Sequence, residues 1–403
     1  MKVLMFGWEF PPLSAGGLGT ACYGLTKGLS INGIEITFVL PKLMAGINGK
    51  YVKLRSAASK KVKMIGINSP LQQYMTSESY RKLVQGKESF ISQASTSMYG
   101  GNLLEEVHRY AAQAALVALE EDFDIIHCHD WLTFLAGIEA KKATGKRLIV
   151  QVHATEFDRG GGNGVNQQVY DIERAGMHFA DRIVAVSQFT KDTIVRHYGI
   201  PADKVSVVYN AVEKSECTDQ FKIGGNEKIV LFLGRITLQK GPEYFLYAAK
   251  KLLDFRKDVK FIMAGTGDML PRMIELSADL GIADKVMFTG IVRGKEVDRL
   301  YRMADLYVMP SVSEPFGITP LESIINGTPV IISNQSGVSE ILKNALKVDF
   351  WDVNDITNKM LAVLNYSALS KTLKEHGSVE IEKFTWERSA REMIKVYRKV
   401  LGW

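Results

Sequence analysis

The chain has 403 residues, of which 46% are hydrophobic and 23% charged, with a formal net charge of +6. This is ordinary globular composition, long enough for two or three domains with sizeable cores. Nucleic-acid binding and membrane insertion are disfavoured, because the nearest thing to a basic run (Lys60, Lys61, Lys63) is short and the longest apolar run, Ala111 to Leu119, falls far below a membrane span.

The first residues, Met1 to Gly7, are charged and then apolar but stop at Trp8-Glu9, so they read as a first strand rather than a signal peptide. Strands are predicted at Val3–Gly7, Ile34–Leu40, Ile125–Cys128, Leu148–Val152 and Ile183–Val186. Helices are predicted between them at Leu18–Ile31, Leu103–Glu121, Leu132–Ala143 and Gln167–Phe179. The strands are nearly continuous apolar runs, as expected when helices cover both faces of a parallel sheet. Residues 44–100 are rich in Ser, Gly, Lys and Gln, with weak periodicity, and read as an irregular region with a mobile loop. The rhythm restarts after Val212. A polar linker over 213–227 contains Gly224-Gly225 and leads to strands at Ile229–Leu233, Val259–Ala264, Val286–Thr289, Leu306–Met309 and Val330–Ile332. Helices there fall at Pro242–Phe255, Leu270–Leu280, Glu296–Met303 and Pro320–Asn326. The expected fold is therefore α/β, with two Rossmann-like domains over 1–212 and 228–385. A last helix lies within 386–403, placed either on the second domain or back across the first.

Three cysteines, Cys22, Cys128 and Cys217, are odd in number and far apart, which argues against a disulfide framework and for a reducing compartment. A cytoplasmic enzyme is the simplest account.

Open α/β sheets bind ligands at the carboxyl ends of their strands, so the residues just after each strand carry the search. After the first strand, Gly16-Gly17-Leu18-Gly19 opens a helix, where glycines allow close backbone approach and the helix N-terminus favours an anion. The segment His127-Cys128-His129-Asp130-Trp131 ends another strand. Its two histidines share one face, but no further ligand has metal-site spacing, and Asp130 reads either as a helix cap or as a ligand-facing carboxylate. His153 leaves a buried strand into the loop that ends Arg159-Gly160-Gly161-Gly162. In the second half, Gly234-Arg235 and Lys240 precede a helix, and two cations beside a helix N-terminus can hold a diphosphate. The most specific segment runs from Ser313 through Glu314-Pro315-Phe316-Gly317-Ile318 to Pro320 and Glu322. It sets two glutamates on either side of a helix start that offers backbone N–H groups to phosphate.

These residues resemble the retaining glycosyltransferases of the GT-B fold, which include glycogen and starch synthases and sucrose synthases. The likeness covers nearly the whole chain: the Gly-Gly-Leu loop, His127 to Trp131, His153, Arg235 with Lys240, and Ser311 through Glu322. It implies a nucleotide-diphosphate sugar as donor, bound in a cleft between the two domains. The acceptor is a sugar, oligosaccharide or glycan, and the moved group a hexose, with glucose the first expectation. Arg235 and Lys240 would neutralise the donor diphosphate in place of a divalent metal, so neither metal nor cofactor is expected. Glu314 would bind sugar hydroxyls and Glu322 the ribose. Gly17, Gly234, Phe316, Gly317 and Ile318 would line the donor, with Gly17 beside the pyrophosphate or sugar. His153 would touch the transferred sugar, and Asp130 would face sugar or acceptor. Retention in that family is explained by same-face attack assisted by the leaving phosphate, so no protein nucleophile is assigned.

The bacterial glucan synthases carry Lys-x-Gly-Gly-Leu where this chain has Ser14, so one positive charge toward the donor is missing. Synthesis of α-1,4-glucan from ADP- or UDP-glucose therefore stands as the narrower alternative. A nucleotide-sugar epimerase, a non-enzymatic binding protein and a Rossmann dehydrogenase are the other classes. The last lacks GxGxxG with a following acidic residue.

Overall fold

A computed structural model describes residues 1–11, 16–40, 62–66, 101–161, 164–213 and 227–403. Ser14, Gly162, Cys217, most of the 44–100 segment and residues 214–226 of the linker lie outside the described residues.

Among the described residues, one parallel sheet has seven strands and a second has six. The first comprises β1 (Lys2–Phe6), β2 (Glu35–Leu40), β3 (Val62–Gly66), β4 (Ile125–His129), β5 (Arg147–Val152), β6 (Arg182–Ala185) and β7 (Val205–Val207), in the order β3-β2-β1-β4-β5-β6-β7. The second comprises β8 (Lys228–Leu233), β9 (Val259–Ala264), β10 (Val286–Gly290), β11 (Leu306–Met309), β12 (Val330–Ser333) and β13 (Leu346–Val348), in the order β10-β9-β8-β11-β12-β13. Both are doubly wound. The strand order reverses between β1 and β4 in the first sheet and between β8 and β11 in the second, and crevices for ligands open at such points.

The interiors of β1, β4, β5 and β11 are buried on both faces, which accounts for their nearly continuous apolar runs. One departure from the sequence expectation is β3. It pairs with β2 in register from Ile36 with Val62 to Leu40 with Gly66, inside the segment expected to be irregular. A five-residue edge strand containing Lys63 carries too little apolar signal to stand out from its polar surroundings. The strands β7 and β13 have three residues each, too few to show a period. Helices Gln188–Tyr198, Val353–Asn365 and Ser367–Ile381 complete the layers.

The final helix, Trp386–Leu401, leaves the second half and packs on helix Gly17–Ile31 of the first. Gly24 and Gly28, one turn apart, make room for it: a Cβ at Gly24 would lie 2.1 Å from the Trp386 indole, and one at Gly28 would lie 2.4 Å from the Trp386 carbonyl oxygen. Ser389 donates to the Tyr209 carbonyl at 2.7 Å, and Val212 N–H donates to the Phe384 carbonyl, so the chain's return is also tied by hydrogen bonds. Among the described residues, no helix is long and apolar enough to cross a membrane.

Candidate active site between the two sheets

The second sheet's reversal point carries the charged groups. β8 ends at Leu233; Gly234 follows with φ +155°, a conformation favouring glycine, and then Arg235, with a guanidinium N–H donating to Gln239 at 3.2 Å. Lys240 closes a short 3₁₀ turn, Leu238–Lys240, and Gly241 then turns the chain into helix Pro242–Phe255. A Cβ at Gly241 would lie 2.1 Å from the Pro310 carbonyl, so this turn lies directly against the end of β11. That approach brings the Lys240 ammonium onto the Glu314 carboxylate, across 74 residues of sequence, and Ser311 donates to the same carboxylate oxygen at 3.3 Å. The loop holding Glu314 is fixed by its backbone: Glu314 N–H donates to Gln335 and Gly337 N–H to Glu314. Gly317, at φ +99°, is the N-cap of helix Ile318–Ile325 and has no side chain to satisfy the first amides. Four residues into that helix, Glu322 accepts a hydrogen bond from Tyr301 at 3.1 Å, and burial pushes its carboxyl up to about 7. Phe316 is buried behind the loop, with its ring 6.2 Å from that of Tyr209.

The first sheet's reversal point is built from glycine and neutral rings. Gly17 opens helix Gly17–Ile31, and a Cβ there would meet no atom within 4 Å. Buried Glu9 accepts from Gly19 N–H at 3.1 Å and so holds that helix start. At the end of β4, Asp130 stands in the N-cap position of helix Trp131–Thr144 but makes no side-chain cap. Its carboxylate instead accepts from the backbone N–H groups of His153 at 2.6 Å and Ala154 at 3.3 Å, tying the exits of β4 and β5 together. The capping alternative is thereby overturned. The competing pull is geometric, since Asp130 has φ +59°, the one positive φ at a non-glycine among the described residues. Burial raises the Asp130 carboxyl to about 6 against the pull of Arg159, whose guanidinium lies 3.9 Å away.

His153 is half-buried, and its Nε2 lies 3.1 Å from Nδ1 of His129. The ring of His127 is 4.3 Å from that of His129, and its Nδ1 is 2.7 Å from the Tyr397 hydroxyl on the final helix. Burial pushes all three imidazoles below their ordinary range, His129 to about 3, so the cluster is neutral at pH 7. Cys22 is also here. Its thiol and one donor nitrogen each of His129 and His153 lie within 4.8 Å of one another, a juxtaposition that no spacing along the chain announces.

Several contacts close the space between the halves. Ser313 donates to Asp158 at 2.6 Å, and Thr190 and Ser187 both donate to the Pro315 carbonyl, at 3.1 Å and 2.5 Å. The Glu340 carboxylate accepts from the N–H groups of Gln188 and Phe189, the first turn of helix Gln188–Tyr198, where the helix dipole favours an anion. The glutamate loop is thus clamped to the first half. Beside the clamp is a cavity of about 290 Å³ between Phe157, Asp158, His197 and Ser313, which Arg235, Lys240, Glu314 and Glu322 do not line. Asp158, Ser187, Thr190 and Glu340 escaped the sequence analysis. Their partners across the halves are 125 to 155 residues away, and the local signatures they carry, the Thr155 to Asp158 capping box and the Ser187 N-cap, do not announce those partners.

Residues 213–378 match the model of the family described as Glycosyl transferases group 1, and residues 15–216 match that of Glycosyltransferase Family 4. An uncharacterized glycosyltransferase of Methanocaldococcus jannaschii is 30% identical, over 99% of this chain and 98% of its own length. The glycogen synthase of Mycobacterium tuberculosis is 24% identical, over 98% of this chain and 94% of its own. The structure of sucrose-phosphate synthase from Thermosynechococcus elongatus superposes with a TM-score of 0.77 at 18% identity, covering 100% of this chain and 99% of that one.

Proposed function

The chain belongs to the glycosyltransferases of the GT-B fold, of the glycogen synthase-like type, and from that premise we propose that it is a retaining hexosyltransferase acting without a metal ion. Its donor is a nucleotide-diphosphate hexose and its acceptor a sugar or glycan. The observation that carries this reading is the Lys240–Glu314 ion pair at the β8/β11 reversal point, one loop away from the uncapped start of helix Ile318–Ile325.

In this account the diphosphate lies against Arg235 and Lys240 and the amides around Gly317 and Ile318. Fixed positive charge then meets the negative charge that develops on the leaving nucleotide, which is the role a divalent ion fills elsewhere. Glu314, released from part of its pairing with Lys240, accepts from sugar hydroxyls. Glu322 accepts from the ribose. Gly17, with open space at its Cα, lets the first half close onto the pyrophosphate. His153 sits at the rim of the neutral cluster, next to the transferred sugar, where its unprotonated ring adds no charge that would compete with Lys240. The acceptor hydroxyl attacks from the face the nucleotide leaves, and its proton passes to the departing phosphate.

The test is transfer from UDP-, ADP- and GDP-glucose in the presence of EDTA, with the new anomeric centre followed by NMR. Product of the donor's own α configuration, formed with chelator present, supports the reading. Inverted product, or loss of transfer in EDTA, overturns it. The relative of Mycobacterium tuberculosis is a glycogen synthase, so α-1,4-glucan is one acceptor to include.

A further inference from the structure

Cys22 and His129 have no part in the transfer chemistry above, and together with His153 they form a cluster whose composition is that of a metal site. Thiolate and imidazole together suit zinc and other thiophilic first-row ions rather than magnesium. We infer that Cys22, His129 and His153 form a three-ligand zinc site at the mouth of the first half, whose occupancy holds His153 away from the sugar and inhibits the enzyme.

The geometry is close to what the ion requires. The three donor atoms already lie within 4.8 Å of one another. Tetrahedral zinc, with bonds of about 2.3 Å to sulfur and 2.0–2.1 Å to nitrogen, sets its donors roughly 3.3–3.7 Å apart, so closure by about 1 Å completes the set. Nδ1 of His129 and Nε2 of His153 are 3.1 Å apart, so this pair has only to open slightly to reach that spacing. Three protein ligands leave a fourth position open. Cys22 and His129 are fully buried while His153 is half-buried, so the open side is the side of His153.

Two further observations point to a cation. Nε2 of His129 is buried with no hydrogen-bond partner, so that ring has an unused nitrogen to give or to take a proton. The carboxylates of Glu9 and Asp130 lie near enough to act electrostatically on Cys22, and their negative field attracts a dication. Binding releases the Cys22 thiol proton to solvent, and the proton shared by His129 and His153 moves to another nitrogen of its own ring. The resulting site holds one thiolate and two neutral imidazoles.

Cobalt(II) titration of the whole protein tests this. Thiolate ligation produces a charge-transfer band in the near ultraviolet that oxygen and nitrogen ligands alone do not. The expected result is saturation at one equivalent, displacement by zinc, and loss of the band in Cys22→Ser and Cys22→Ala, with affinity reduced at least ~100-fold. Cys128→Ser and Cys217→Ser should keep the band, and circular dichroism melts show which variants remain folded. Absence of a band at one equivalent in the wild type, or a band that survives in a folded Cys22 variant, overturns the site. The inhibitory half of the inference rests on the role of His153 in transfer. Zinc binding with this signature but without loss of transfer would leave the metal site standing and remove His153 from the mechanism.

Discussion

The two reversal points are the same backbone device with different chemistry. Between β8 and β11 the crevice holds Arg235, Lys240, Glu314 and Glu322 around the bare start of a helix. Between β1 and β4 it holds Gly17, three neutral imidazoles and a carboxylate already engaged by backbone. Topology opens a crevice at both, and in the proposed function the charges of the second-half crevice are the ones that stabilise a leaving diphosphate. On the proposed function, the duplicated scaffold divides the labour of one reaction, with cationic charge compensation on one side and a surface without cations for the sugar on the other.

The strongest way to break this comparison is Lys240→Ala. Removing a fixed charge that acts in the transition state should lower kcat by about 10²–10³, roughly 2.7–4 kcal/mol. Steady-state kinetics with saturating donor measures it, and turnover near that of the wild type would place the charge compensation elsewhere.

A second prediction concerns the buried acids of the first half. Glu173 accepts from Arg159 at 2.8 Å and from Tyr198, yet burial pushes its carboxyl up to about 7 from an ordinary 4.5. A carboxyl raised in the folded state binds a proton more tightly there than in the unfolded chain. Its contribution to stability is complete below about pH 4.5 and is lost as pH rises through 7, by up to ~3 kcal/mol. Melting temperature should fall between pH 5 and 8 in the wild type and fall less in Glu173→Gln. Equal slopes in the two proteins would exclude Glu173 as the source.

Gly24→Val acts on the joint that both halves share. A Cβ there would overlap the Trp386 indole, so the final helix must shift, at a cost of about 1–3 kcal/mol. Denaturant unfolding reads that cost, and stability equal to the wild type would show that the helix does not seal onto Gly24. The smallest effect should come from Ser313→Ala, which removes one hydrogen bond to Asp158 across the halves. A rise in donor KM with kcat nearly unchanged, about threefold to tenfold, is expected because a hydrogen bond of this kind contributes on the order of 1 kcal/mol. An unaltered KM would mean that the clamp does not help to shape the donor loop.

Much of this arrangement was legible in the sequence, because the information is local where strands are buried on both faces. The apolar runs of β1, β4, β5 and β8 to β12 and the residues immediately after them could be read directly, and the likeness of Glu314 through Glu322 to a glycosyltransferase motif supplied the reaction class. What could not be read was long-range or short. β3 is a short edge strand interrupted by Lys63, and β7 and β13 are three residues each. The Ser313–Asp158 and Glu340–Gln188 contacts join segments more than 150 residues apart, and Cys22 meets His129 and His153 only because helix Gly17–Ile31 packs on the first sheet. From sequence Asp130 reads as either cap or ligand group; in the structure it has positive φ and makes no cap.

The central claim is that the second half holds the donor diphosphate by fixed cations, and nucleotide-induced thermal shift in EDTA tests it most directly. UDP, ADP and GDP should be compared on the wild type, Lys240→Ala and His153→Ala. The account predicts that one nucleotide raises the wild-type melting temperature without metal, that Lys240→Ala loses most of that shift and that His153→Ala keeps it. A shift that requires added magnesium, or one lost in His153→Ala and kept in Lys240→Ala, would contradict it.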